Sequence, residues 1–305
     1  MSREFLAISF CLCYRFLLTT KFPRIGGSMK KLVYGLLICI YFGCVVCFAQ
    51  EVKPVSSGAG SPAISLSESD YQKIFTGFHV KGTFLLYDLN NDTYSVYDKE
   101  RLDKAFLPAS TFKILNSLIA LETGAIKDQC ETIEWDRRTW RFDEWNQDQT
   151  LQSAFRNSVV WAYQELARRI GRKLMQYWVD KADYGNRDIS DEIDTFWLQG
   201  ELRISARQQL EFLKKLYKNQ LPFSQRNMDI VKEIMMVEQE GKYMLRGKTG
   251  WVSRGTPQIG WFVGWLEKAN NVYFFALNID IVKRQDVNAR IGLAKEVFKQ
   301  LKLIE

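Results

Sequence analysis

The chain has 305 residues, 47% of them hydrophobic and 25% charged, with a formal net charge of +7. That is ordinary globular composition, which excludes a collagenous or low-complexity chain and allows one sizeable core. Residues 1–49 alone carry +5, so the rest carries only +2, and a nearly balanced body offers no electrostatic footprint for nucleic acid.

Residues 1–28 contain an apolar patch and end in Gly26-Gly27-Ser28, directly before Met29. Two glycine codons just ahead of a methionine fit a ribosome-binding sequence read as protein. Translation is therefore expected to start at Met29, with residues 1–28 an overrun. From Met29, Lys30 and Lys31 form a positive n-region, Leu32–Phe48 an apolar h-region, and Ala49 a small residue before a cleavage point. Residues 29–49 read as a secretory signal peptide, implying a periplasmic protein. The alternatives are a membrane anchor, the apolar run being near the lower limit for a span, and a lipoprotein signal at Gly43-Cys44. Five of the six cysteines lie in this leader. The body keeps only Cys130, which gives no internal disulfide, no zinc spacing and no other metal site. Residues 50–69 are rich in Ser, Gly and Pro and read as a flexible linker. Residues 70–305 read as one domain.

In that domain, 79–89 and 93–98 flank Asn-Asn-Asp as a β-hairpin. A helix is expected from Ser110 to Glu122, closed by Gly124. Residues 127–158 are polar and aromatic without clear period. Helices follow at 159–171 and 173–182. Another spans 205–219, opening with the capping-box spacing of Ser205 and Gln208, with Leu210, Leu213, Leu216 and Tyr217 recurring at helical intervals. Residues 243–249, 259–267 and 271–281 read as three consecutive strands, and 288–303 as a closing helix. The order predicts an α/β (α+β layered) fold, a mostly antiparallel sheet flanked by helices, with a mainly helical second lobe.

Two tempting motifs fail. His79 is the only histidine, and it has no acidic or serine partner nearby in sequence, which leaves a Ser-His-Asp triad or a histidine metal site poorly supported. Gly247-Lys248-Thr249-Gly250 has Lys242 where a phosphate-loop glycine belongs, and it runs into a strand rather than a helix.

Ser110-Thr111-Phe112-Lys113 is more informative. As an N-cap, Ser110 is ordinary, but a helix N-terminus favours anions, and here a lysine follows among apolar neighbours. Burial lowers a lysine's pKa, and a neutral amine one turn from a serine can activate that hydroxyl. Ser-x-x-Lys alone is weak. Ser158-Val159-Val160, Tyr184-Gly185-Asn186 and Lys248-Thr249-Gly250 follow it in order, and together they form a specific set.

With these motifs, and with Trp197 in Phe-Trp-Leu-Gln-Gly and Arg290 in residues 286–298, the chain resembles the class D β-lactamases (oxacillinases), penicillin-recognising serine enzymes, over about residues 70–303. The resemblance implies the serine β-lactamase/transpeptidase fold and hydrolysis of small-molecule β-lactams, with antibiotic resistance as the outcome. Ser110 would attack the lactam carbonyl. Lys113 would be carboxylated to N6-carboxylysine and act as general base, so CO2 or bicarbonate is the only cofactor implied. Ser158 would pass a proton to the leaving nitrogen, and Trp197 would donate to the carbamate. The N–H groups of Ser110 and Trp251 would form the oxyanion hole. Lys248, Thr249, Gly250 and Arg290 would hold the substrate carboxylate. Phe112, Val160, Tyr184 and Asn186 would shape the pocket, rimmed by residues 139–145 and 251–258. The competing readings are a penicillin sensor and a DD-peptidase, both acylated without efficient turnover. The sensor is disfavoured because no His-Glu-x-x-His occurs. The peptidase is disfavoured because transpeptidases usually have Asn where Val160 stands. No nucleic-acid partner and no membrane span in the mature form are expected.

Overall fold

The computed structural model describes residues 64–305. The readings of the start site, the signal peptide and most of the linker lie outside the described residues.

The chain opens with helix α1, Glu68–Gly77, capped by the Ser67 side chain on the Asp70 N–H. The sequence reading placed no helix there. Its stripe of Tyr71, Ile74 and Phe75 is buried. Strands β1 (Gly82–Asp88) and β2 (Thr93–Tyr97) form the expected antiparallel hairpin. A single turn, α2 (Lys99–Leu102), precedes a 3-10 turn over Ala109–Phe112 and helix α3 (Lys113–Glu122). The helical lobe continues as α4 (Leu151–Arg156), α5 (Val160–Ile170), α6 (Arg172–Lys181), α7 (Phe196–Gln199), α8 (Ala206–Tyr217) and α9 (Gln225–Ile234). Between α3 and α4, β3 (Thr132–Ile133) pairs with β4 (Gln149–Thr150). The capping box of α8 forms as expected: Ser205 accepts from the Gln208 N–H, and the Gln208 side chain accepts from the Ser205 N–H.

Strands β5 (Met236–Glu240), β6 (Tyr243–Val252), β7 (Gln258–Lys268) and β8 (Asn271–Ile281) complete the main sheet, and α10 (Asp286–Gln300) closes the chain. The sheet order is β2-β1-β8-β7-β6-β5, antiparallel throughout. Side chains alternate across it. Phe84, Leu86, Phe262, Phe275 and Leu277 pack with α1 and α10, while Leu85, Tyr87, Trp261, Val263 and Phe274 pack with the helical lobe. Both faces are covered, so β1 is buried along its whole length. This is the expected layered architecture.

The pairing leaves one gap. β5 pairs with β6 only as far as Arg246, and Gly247 donates its N–H to Met235 beyond that end. The outer edge of residues 248–252 therefore has no strand neighbour, and the turn carrying Ser110 packs next to it, against the face of the strand at Gly250. A Cβ on Gly250 would lie 2.9 Å from the Pro108 carbonyl oxygen and 3.3 Å from the Thr111 nitrogen. Only glycine lets the strand and the turn approach this closely.

Candidate active site

Ser110 does not cap a helix. It lies inside the 3-10 turn, where no side-chain cap forms, and the α-helix begins at Lys113. The turn is entered through Ala109, a buried non-glycine residue at φ +48°. That conformation costs about 1 kcal/mol, and it leaves Ser110 part-exposed at the head of α3.

The Lys113 amine donates to Ser110 Oγ at 3.0 Å. Its side chain is fully buried, and Nζ stands 5.0 Å from the centre of the Tyr163 ring. Burial, and secondarily the charge of Lys248, holds the amine well below the ordinary lysine value. No carboxylate pairs with Lys113 among the described residues. Trp197, stacked on Phe112 at 5.4 Å, buries an indole N–H that has no partner.

Ser158 lies two residues before α5 rather than in its first turn, with φ +55°. Lys248 is 4% exposed, on the face of β6 that meets the helical lobe. Its amine donates to the Thr249 carbonyl at 3.2 Å. Burial, with Arg290 adding like charge, lowers its pKa to about 7. Thr249 and Trp251 alternate to the other face, toward α10. The N–H groups of Thr249 and Trp251 share the outward direction of Gly247, away from β7, and so open on the free edge.

Arg290 reaches over the sheet face at Gly250 from α10. It donates from Nε to the Val287 carbonyl and from Nη1 to the Gly250 carbonyl, each at 2.6 Å. Burial brings its pKa down to about 10, so it stays cationic at neutral pH. Gly260 makes room for the arginine, since a Cβ there would sit 3.0 Å from Arg290 Cδ.

These groups surround a cleft of about 1140 Å³ lined by Ser110, Ser158, Val160, Thr249, Gly250, Trp251 and Arg290. Both expected rims contribute, through Trp140, Phe142 and Trp145 on one side and Trp251, Ser253 and Arg254 on the other. The aromatic rim is tied down by Trp161 Nε1 donating to the Trp145 carbonyl and Trp145 Nε1 donating to the Asn157 carbonyl.

Lys113, Lys248, Trp197 and Phe112 sit beneath the cleft surface. Tyr184 and Asn186 do not line it. Tyr184 is buried behind Phe112, edge to face at 5.7 Å. Asn186 is exposed, and its side chain clasps the Glu201 carbonyl and the Arg203 N–H. Leu198 and Asn157 line the cleft without having been singled out in the sequence. Leu198 follows Trp197 in the quoted motif, and adjacency was the available signal. Gly247–Gly250 lies inside β6 with no helix behind it. His79 is exposed in the turn before β1. No cluster of metal-ligating side chains occurs among the described residues.

Comparison with known proteins gives the family. The family model described as the penicillin binding protein transpeptidase domain matches residues 82–302. The chain is 44% identical to β-lactamase OXA-48 of Klebsiella pneumoniae, over 82% of this chain and 96% of that protein. It is 41% identical to β-lactamase OXA-10 of Pseudomonas aeruginosa, over 82% and 94%. Among solved structures, a class D β-lactamase from Nostoc superposes with a TM-score of 0.75 at 48% identity, covering 77% of this chain and 99% of that one. One from Sebaldella termitidis does so with a TM-score of 0.76 at 35% identity, covering 80% and 100%. With the fold, the ordered motifs and these similarities in agreement, the chain belongs to the class D β-lactamase family.

Proposed function

We propose that the protein hydrolyses β-lactam antibiotics through an acyl-enzyme on Ser110. The observation that carries this is the buried, unpaired Lys113 amine 3.0 Å from Ser110 Oγ at the floor of an open cleft. An amine held neutral can remove the serine proton, which a protonated lysine cannot do.

The substrate carboxylate would meet Thr249 and Arg290, which line the cleft, with the buried Lys248 amine adding positive charge from beneath. The lactam carbonyl oxygen points into the N–H groups of Ser110 and Trp251. Such a pair of donors stabilises the tetrahedral oxyanion, and losing one costs about 10²–10³ in rate. Ser110 Oγ bonds to the carbonyl carbon, the lactam C–N bond breaks, and Ser158 hands a proton to the departing nitrogen. Water then cleaves the ester, releasing the ring-opened acid and restoring Ser110.

The surroundings of Lys113 suit carboxylation by CO2. The neutral amine is the form that reacts, the head of α3 favours an anion, and the unpartnered Trp197 indole N–H is a free donor in the same buried cluster. Carboxylated, Lys113 would offer an anionic oxygen as the base for both acylation and deacylation. The pattern of residues 29–49 supports export to the periplasm, where β-lactams meet their targets, and the hydrolysis would confer resistance. Among the described residues, no helix is long and apolar enough to cross a membrane.

The test is turnover of a chromogenic cephalosporin by the purified protein, with mass spectrometry of the trapped adduct. Steady hydrolysis with the adduct on Ser110 is expected. Stoichiometric acylation without turnover would instead establish a sensor or peptidase.

A further inference from the structure

Directly behind the Ser110 turn is a buried polar chain that none of the recognised motifs explains. Gln209, on α8, is fully buried on the apolar face of its helix. Its Nε2 lies 2.7 Å from Thr111 Oγ1, and Thr111 Oγ1 lies 2.7 Å from the Pro108 carbonyl oxygen. The direction of both bonds is forced. A carbonyl oxygen only accepts, so the Thr111 hydroxyl must donate to Pro108, and Gln209 must then donate to Thr111. The Thr111 N–H also donates to Pro108, at 3.2 Å. Gln209 Oε1 and the Tyr184 hydroxyl, which lies beside both Thr111 and Gln209, are buried without a well-formed hydrogen bond. Burying polar atoms without partners is unfavourable, so this arrangement is a poor choice for stability alone.

Its position matters. The Ser110 N–H belongs to the peptide joining residues 109 and 110. The peptide before it is held at the Pro108 oxygen, and the peptide after it at the Thr111 nitrogen. The Ala109 torsion between them is in a region that non-glycine residues leave readily. We infer that Gln209 is a positioning residue for Ser110: its amide N–H, relayed by the Thr111 hydroxyl to the Pro108 carbonyl, fixes the orientation of the Ser110 N–H and Oγ. The inference rests on the reading of Ser110 as nucleophile.

Two variants test it, each compared with wild type in the pre-steady-state rate of acylation by a chromogenic cephalosporin. Gln209→Met keeps the shape and removes the donor. Its acylation should fall at least about tenfold, while its melting temperature holds or rises, because a buried amide has become apolar. Gln209→Glu donates only when protonated, and burial raises a carboxyl pKa. As it ionises, the carboxylate draws the Thr111 O–H away from Pro108. The ratio of Gln209→Glu to wild-type acylation should therefore be near one at about pH 6 and fall about tenfold by about pH 8.5. Tyr184, the titratable side chain beside Gln209, stays neutral over that range because burial pushes its phenol up. Lys113, next along the turn, is common to both proteins, which is why the ratio is read. Met acylation within about twofold of wild type, or a flat Glu ratio, would overturn the inference. A wild-type protein that forms no Ser110 adduct would instead overturn the proposed function.

Discussion

Lys113 Nζ and Ser110 Oγ meet at 3.0 Å with no acidic group hydrogen-bonded to the amine. A buried lysine usually needs a carboxylate, and here a serine hydroxyl takes its place. The folded state pushes this lysine toward neutrality, and its reactivity follows from that.

Activity should fall as the medium is acidified, because protonation removes the lone pair that attacks CO2, and carbamate formation itself releases a proton. At a fixed mildly acidic pH, added bicarbonate should restore turnover, and 13C-labelled CO2 should give a carbamate carbon resonance absent from Lys113→Met. An activity indifferent to bicarbonate would remove the modified lysine from the mechanism. Lys113→Met should be inactive yet at least as stable as wild type, since a fully buried amine is replaced by an apolar chain of similar length.

Lys248 predicts a pH signature in stability. Its folded pKa, about 7, lies below its ordinary value of 10.5. Below pH 7 both folded and unfolded states carry the proton and the folded protein bears the full cost of the buried charge. Between the two values the unfolded state binds more protons, so stability rises with pH, by at most about 1.4 kcal/mol per unit. Lys248→Met should therefore gain most over wild type below pH 7, the gain shrinking by pH 9, in paired thermal or urea unfolding. In kinetics, KM should rise with pH above 7 if the Lys248 cation attracts the substrate carboxylate as proposed, and a KM flat across that range would remove Lys248 from substrate binding.

Gly250→Ala places a methyl 2.9 Å from the Pro108 carbonyl oxygen. Backbone cannot swing aside, so the strand and the Ser110 turn must separate. The expected cost is about 1–3 kcal/mol of stability, with acylation falling more than tenfold as the donors diverge. Calorimetry and burst kinetics read the two effects separately, and a variant with wild-type burst rate would show that the close approach is dispensable.

Arg290→Lys keeps the charge but not the fork that spans the Val287 and Gly250 carbonyls. A lysine cannot hold both and also meet a planar carboxylate. KM should rise about tenfold, corresponding to about 1.4 kcal/mol, with a smaller change in kcat. Equal kinetics for Lys and Arg at this position would reduce its role to charge alone.

Periodicity located the hairpin, the three long strands and helices α5, α6, α8 and α10, because their apolar spacing is set by which face they bury. It missed α1, whose capping Ser67 lies inside a serine-rich stretch, and it missed the short β5. The ordered motifs named Ser110 and Ser158, which line the cleft, and Lys113 and Lys248, which lie beneath it. Tyr184 and Asn186, named with them, do not line the cleft, and a polar turn looks the same in sequence whether it faces a cleft or braces a loop. Gln209 escaped because its partner is 98 residues away. The one local sign was a glutamine beside Leu210 and four residues before Leu213, on the stripe that faces the core. The left-handed Ala109 has no sequence signal at all, since alanine does not favour it.

The unpaired edge of residues 248–252 has a consequence for solution behaviour. An exposed run of strand N–H and C=O groups is a template on which another chain can zip. In this molecule that edge opens into the cleft beside the Ser110 turn, so the border available to a ligand is also one on which an extended chain could pair. A border kept open for a ligand is one that the fold cannot close with another strand.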